Sequence, residues 1–115
     1  TQPIFDPETL ESFLEQVHAW KIPVLAGIWP FLNLRNAEFL ANEVPGVAVP
    51  EEIVDRMRKA QASGDEEAMD QGVRIAVEMI KAVRPLVQGF HLSAPSRRVD
   101  VALRVLHEAG ISPNA

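Results

Sequence analysis

The sequence predicts an α/β fold of order α-β-α-α-α-β-α, with two parallel strands, and three observations predict it. Residues 22–40, IPVLAGIWPFLNLRNAEFL, form a short apolar run that stops at Gly27, turns through Trp29-Pro30 and passes into an amphipathic helix. Residues 87–106, VQGFHLSAPSRRVDVALRVL, are a second such unit. A hydrophobic content of 47% over 115 residues supplies enough apolar surface for one small buried core. The turn after a strand's carboxyl end is where α/β folds hold ligands, so both units point to a binding surface.

Each element follows from local chemistry. Asp6-Pro7 reads as a helix cap followed by proline in the first turn. Leu10, Phe13, Leu14 and Val17 then share one face of a helix over residues 7–20. Residues 24–28 are too short for a helix and apolar on both faces, as a covered parallel strand is, and Pro23 fits at its start. Asn33 caps the next helix, whose stripe is Leu34, Ala37, Leu40, Ala41 and Val44, ending at Pro45-Gly46. Pro50 opens a helix with Ile53, Met57 and Ala60 inward, and Ser63-Gly64-Asp65 breaks it.

A longer helix follows with Met69, Val73, Ala76, Ile80 and Val83 on one side. Gly72 lies inside it. Glycine there costs about 1 kcal/mol against alanine, which close backbone packing would explain. The second strand spans residues 87–93. The last helix is expected to be capped by Ser96, to bury Val99, Ala102, Leu103 and Leu106, and to stop at Gly110 with Pro113 beyond.

Composition removes several classes of function. Eleven basic against 16 acidic residues give a net charge of −5, which argues against a nucleic-acid partner. The absence of cysteine excludes disulfides, thiolate zinc sites and thiol nucleophiles, and fits a cytoplasmic location. The apolar runs are strand length and the first residues lack a signal-peptide pattern, so no membrane association is expected. No HExxH, GxGxxG, Walker or GxSxG motif occurs, and the acidic pairs such as Glu51-Glu52 sit at helix starts, favouring the helix dipole; no metal site is expected.

Two parallel strands do not make a self-sufficient sheet, since their edges and one face stay uncovered. A whole β/α barrel takes about 250 residues. The chain is therefore expected to be incomplete alone, needing either a missing portion or a second copy.

The segments TQPIFD, GIWPFLNLRNAEFLANEVPGVAVPEE, QGVRIAVEMI and GFHLSAPSRR, in that order, resemble methylenetetrahydrofolate reductase over nearly the whole chain. The pairing of GIWP with SAPSRR is similar to the reductase module of bacterial enzymes that fuse homocysteine S-methyltransferase to that reductase. The resemblance implies the C-terminal portion of a β/α (TIM) barrel, from the end of the sixth strand through the seventh and eighth. It implies an enzyme in which FAD takes a hydride from NAD(P)H and passes it to methylenetetrahydrofolate. Most flavin contacts belong to the N-terminal portion of such a barrel, so this chain alone is expected to bind no cofactor and to be inactive.

The resemblance also nominates site residues. Gln2 matches a glutamine at the end of strand six, whose amide donates and accepts as a pterin edge requires. Arg97 and Arg98 both lie where the family has one arginine against substrate or cofactor. Arg98 is slightly preferred, and a guanidinium at a helix start suits a carboxylate or phosphate. Asn36 stands where single-function reductases have glutamine and Leu40 where they have an aromatic residue. A shorter amide reaches less far and leucine does not stack on a ring, so helix surface and core packing compete with substrate contact at these two. Trp29 either covers a flavin or pterin face or plugs the turn. His91 alternates with Phe90 and Leu92 and so points opposite to them, where it is expected to be a hydrogen-bonded core histidine facing the barrel centre, while His18 and His107 belong to helix surfaces. No catalytic residue is assigned. The alternative is a non-catalytic assembly module that pairs with another copy as a homo-oligomer; a stand-alone anion-binding domain rests on Arg97-Arg98 only.

Overall fold

The structure is a computed structural model and describes residues 1–111. Helix α1 spans Pro7–Val17, with Asp6 as its cap accepting from the Glu8 amide. It ends three residues before the predicted boundary, tightening into a 3₁₀ turn over His18–Trp20 that Lys21 closes in a left-handed conformation, φ 52°. Strand β1 is Leu25–Ile28, and α2 is Leu34–Asn42. Helix α3, Glu51–Ala62, starts after Pro50, and α4, Asp65–Val83, follows Gly64. Strand β2 is Gly89–Leu92, and α5 is Val99–Glu108.

The strands pair in parallel with Ala26 opposite Phe90, Gly27 opposite His91 and Ile28 opposite Leu92. A third parallel position had no signal in the hydrophobic pattern, although the family resemblance put the end of a strand at Gln2. Pro3 bridges to Gly27 on the other side of β1, and the Ile4 amide donates to the Gly27 carbonyl at 3.0 Å. One proline-containing residue pair carries no alternating pattern to read. It makes β1 the central strand.

Alternation decides what covers the sheet. Ala26, Ile28, Phe90 and Leu92 pack towards α4, α5 and α1, with Val73, Ala76, Ile80, Val83, Val101, Val105 and Leu10. The opposite face carries Leu25, 52% exposed, and His91, also exposed, so His91 does point away from Phe90 and Leu92 but is not the core histidine expected, since that face is uncovered in this chain. A separate core lies under α2 and α3, where Phe5 stacks on Phe31 with centroids 4.6 Å apart and Leu40, Ile53 and Met57 fill the space around them.

Two expectations for α5 are corrected. Ser96 does not cap it. Ser96 lies in a 3₁₀ turn, Pro95–Arg97, in left-handed conformation, and Arg98 occupies the cap position with no side-chain hydrogen bond to the helix start. The buried stripe is Val101, Val105 and Ala109, whereas Val99 and Leu103 are 58% and 59% exposed and Ala102 and Leu106 half-buried. The apolar arc of the helix is about 200° wide at 100° per residue, with Asp100, Arg104, His107 and Glu108 on the remainder, so periodicity gives the arc and not which side of it packs. The strand it packs on chooses, and it chooses the side about a third of a turn away from the expected stripe. Gly110 ends the helix at φ 75° as expected, while Pro113 lies outside the described residues.

Gly72 is the tightest point of the fold. A Cβ there would lie 1.8 Å from the Phe31 carbonyl oxygen. Only a glycine lets α4 press its backbone onto the turn after β1.

Candidate functional site

Parallel pairing places the carboxyl ends of Pro3-Ile4, β1 and β2 on one edge of the sheet; Trp29 and Arg97-Arg98 follow β1 and β2 there, whereas Gln2 precedes Pro3.

The turn after β1 is closely packed. Pro30 and Phe31 are fully buried, and Gly72 sits against the Phe31 carbonyl. Asn33 accepts from the Asn36 amide at 2.9 Å while the Asn36 carboxamide oxygen accepts from the Leu32 amide at 3.0 Å, a reciprocal cap. The Leu34 amide donates to Gln61 at 3.1 Å, and Gln61 in turn donates to Asp65 at 2.8 Å, tying the starts of α2 and α4 to the end of α3. Trp29 is half-buried against the α2–α3 core, and its Nε1 is enclosed with no hydrogen-bond partner among the described residues.

The turn after β2 is open by contrast. Ser96 and Arg97 adopt φ 51° and 62°, a region costly for residues with a Cβ. Arg98 grips Asp100 with two hydrogen bonds, Nε at 3.0 Å and Nη2 at 2.8 Å, and its Nη2 also lies 3.7 Å from the Met69 sulfur. The hydrogen bond to Asp100, followed by its charge, raises the Arg98 pKa, and the same hydrogen bonds hold the Asp100 carboxyl below its ordinary range. Arg97 is exposed and pairs with no carboxylate among the described residues.

Of the nominated residues, Gln2 and Arg98 line two separate recesses, and Arg97, Trp29, Asn36 and Leu40 line neither. One, of about 250 Å³, is lined by Gln2, Ile4, Leu10, Phe13 and Gly46 among others. The other, of about 450 Å³, is lined by Leu32, Asn33, Asp65, Glu66, Met69 and Arg98. They share no residue. Leu40 is in the core at 1% exposure, and the Asn36 oxygen is occupied by its cap. Sequence reasoning missed Asp100 and Gly46. Asp100 was readable in hindsight as a carboxylate two residues beyond Arg98; Gly46 had only the signal of a Pro-Gly turn.

No group of three metal-ligating side chains exists among the described residues, and no helix there is long and apolar enough to cross a membrane.

Parallel strands backed by helices on one face define an α/β protein, a fold class in which ligands commonly bind at the strands' carboxyl ends. The family model described as methylenetetrahydrofolate reductase matches residues 1–110, and the chain belongs to that family. Methylenetetrahydrofolate reductase is an oxidoreductase activity of folate metabolism, and the family in general uses FAD. The search of curated proteins found no significant match.

Proposed function

We propose that the chain is the C-terminal portion of the β/α barrel of a flavin-dependent 5,10-methylenetetrahydrofolate reductase, forming one wall of its folate and nicotinamide pocket. The observation that carries this reading is the parallel alignment of Pro3, β1 and β2 around an uncovered sheet face, which the remaining strands of a barrel would cover.

The residues fit binding of folate better than binding of FAD. The recess beside Arg98 contains Asp65 and Glu66, which repel a pyrophosphate, and the recess at Gln2 is mainly apolar. The flavin contacts are accordingly assigned to the remainder of the barrel, and no step is derived through the flavin here. In this reading the Gln2 carboxamide pairs with the donor and acceptor edge of the pterin. Arg97, which does not line that acidic recess, holds a carboxylate or phosphate of the folate or NAD(P)H. The sequence alone slightly favoured Arg98, but its guanidinium is committed to Asp100, which leaves Arg97 as the better anion partner. The likeness to a module fused to homocysteine S-methyltransferase, and a cytoplasmic location, complete the reading.

The test uses the intact flavin-loaded reductase that contains this segment. Arg97→Ala is expected to raise KM for the folate or for NAD(P)H by about 10- to 100-fold, the worth of one lost charge-assisted hydrogen bond. Arg98→Ala is expected to change it by less than about threefold. The reverse order would return the role to Arg98, and wild-type kinetics in both variants would remove this turn from the pocket.

A second reading has its own observation. Trp20, Ile22, Leu25, Val99 and Leu103 are exposed apolar side chains, as in a module that pairs with another copy. Light scattering of the 115-residue chain distinguishes the two: a colourless stable dimer supports the assembly module.

A further inference from the structure

We infer that Gly46 is a positioning residue for Gln2, giving the Gln2 carboxamide its seat in the pocket wall. The inference rests on the folate-contact reading of Gln2 above.

Gly46 closes the turn after α2 at φ 84°, where glycine is favoured. Three glycines of the chain have such a φ, but they differ in what surrounds them. A Cβ added at Gly64 or Gly110 would meet nothing within 4 Å, so those positions need glycine for the backbone alone. A Cβ at Gly46 would lie 2.8 Å from Gln2 Oε1 and 3.6 Å from its Cδ and Nε2. Those three amide atoms are its nearest neighbours. The space vacated by the missing side chain is filled by one carboxamide, from a residue 44 positions away in the chain.

Nothing else fixes that amide. Among the described residues the Gln2 side chain makes no hydrogen bond, and only its backbone carbonyl is engaged, accepting from the Thr1 hydroxyl at 2.7 Å. Gln2 is exposed and its donor and acceptor both remain available to a ligand, while its amide lies in the space a side chain at Gly46 would take, at the recess that Ile4, Leu10 and Phe13 line. The ligand class is a heteroaromatic amide edge such as a pterin, which needs a donor and an acceptor at fixed spacing. A methyl group at Gly46 pushes the amide out of its seat and disturbs both contacts together.

The experiment is a double-mutant cycle on the intact flavin-loaded protein. Wild type, Gln2→Ala, Gly46→Ala and the double variant are titrated calorimetrically with 5-methyltetrahydrofolate, with flavin absorbance checked for equal loading. Gly46→Ala is expected to weaken binding about tenfold, the loss of one or two hydrogen bonds. In the Gln2→Ala background it is expected to weaken binding no further, although its melting temperature falls equally in both backgrounds because the backbone strain persists. Equal loss of affinity in both backgrounds would overturn the inference while leaving Gln2 in the pocket. Unchanged affinity in Gly46→Ala beside weakened Gln2→Ala would do the same. Wild-type affinity in Gln2→Ala would overturn the folate role of Gln2 and, with it, the role of Gly46. If Gly46→Ala does not fold, Gly46→Asn takes its place in the cycle, since asparagine tolerates the left-handed region best after glycine.

Discussion

The two turns that leave the strands' carboxyl ends have the same place in the fold and opposite construction. The first, from Trp29 to Asn33, is buried, capped reciprocally by Asn33 and Asn36, and pressed by Gly72. The second, from Ser93 to Arg98, is exposed, holds two residues in left-handed conformation and starts its helix with no side-chain cap. The first turn serves largely as scaffold: the Asn33 and Asn36 oxygens are taken by backbone amides, while the enclosed Trp29 Nε1 has no partner among the described residues. The second presents a guanidinium to solvent on strained backbone, an arrangement seen where function rather than stability sets the conformation.

Breaking the first turn should cost most. Gly72→Ala sets a methyl against a backbone carbonyl that has no freedom to withdraw, and a loss of about 3 kcal/mol in unfolding free energy is expected by denaturant titration. Wild-type stability in that variant would mean that α4 and the turn are not in contact. Asn33→Ala removes one cap and strands the Asn36 amide. About 1 kcal/mol should disappear, measured by the same titration. If this loss matched that of Gly72→Ala, the turn would depend on its cap rather than on its packing.

In the second turn the sign reverses. Ser96→Gly relieves a left-handed residue and should stabilise the protein by up to about 1 kcal/mol in thermal unfolding. A destabilised variant would show the strain to be absent. The smallest effect is electrostatic. Arg98 holds the Asp100 carboxyl below its ordinary range. Their pair therefore adds stability above the ordinary aspartate pKa of about 3.9 and loses it as pH falls through the lower folded value. Both groups are solvent-exposed, so the melting temperatures of wild type and Asp100→Asn should differ slightly at about pH 6 and converge at about pH 2. A difference that persists in acid would assign the effect to packing.

Much of the scaffold was legible in local chemistry. The Asp6 and Asn33 caps, the breaks at Ser63-Gly64 and Gly110, and the apolar stripes of α3 and α4 each depend on residues within a few positions of one another. Gly72 was marked in the sequence as a glycine out of place, and packing against Phe31 is the reason. The candidate site was legible only as residue types. Gln2 and the two arginines came from resemblance, but that Arg98 is spent on Asp100, or that Gln2 rests on Gly46, depends on side chains brought together across turns.

The sequence by itself determined the α/β order, the starts of α1 and α2 and the family, the first two because caps, breakers and hydrophobic period act over one or two turns of chain. Tertiary structure alone decided which face of α5 is buried, that Pro3 pairs beside β1, and which arginine stays free of an internal partner. Those outcomes turn on competition between surfaces distant in the chain. A helix whose apolar arc is wider than the stripe it buries and a proline with no strand pattern carry too little local preference, so the packing of the whole sheet settles both.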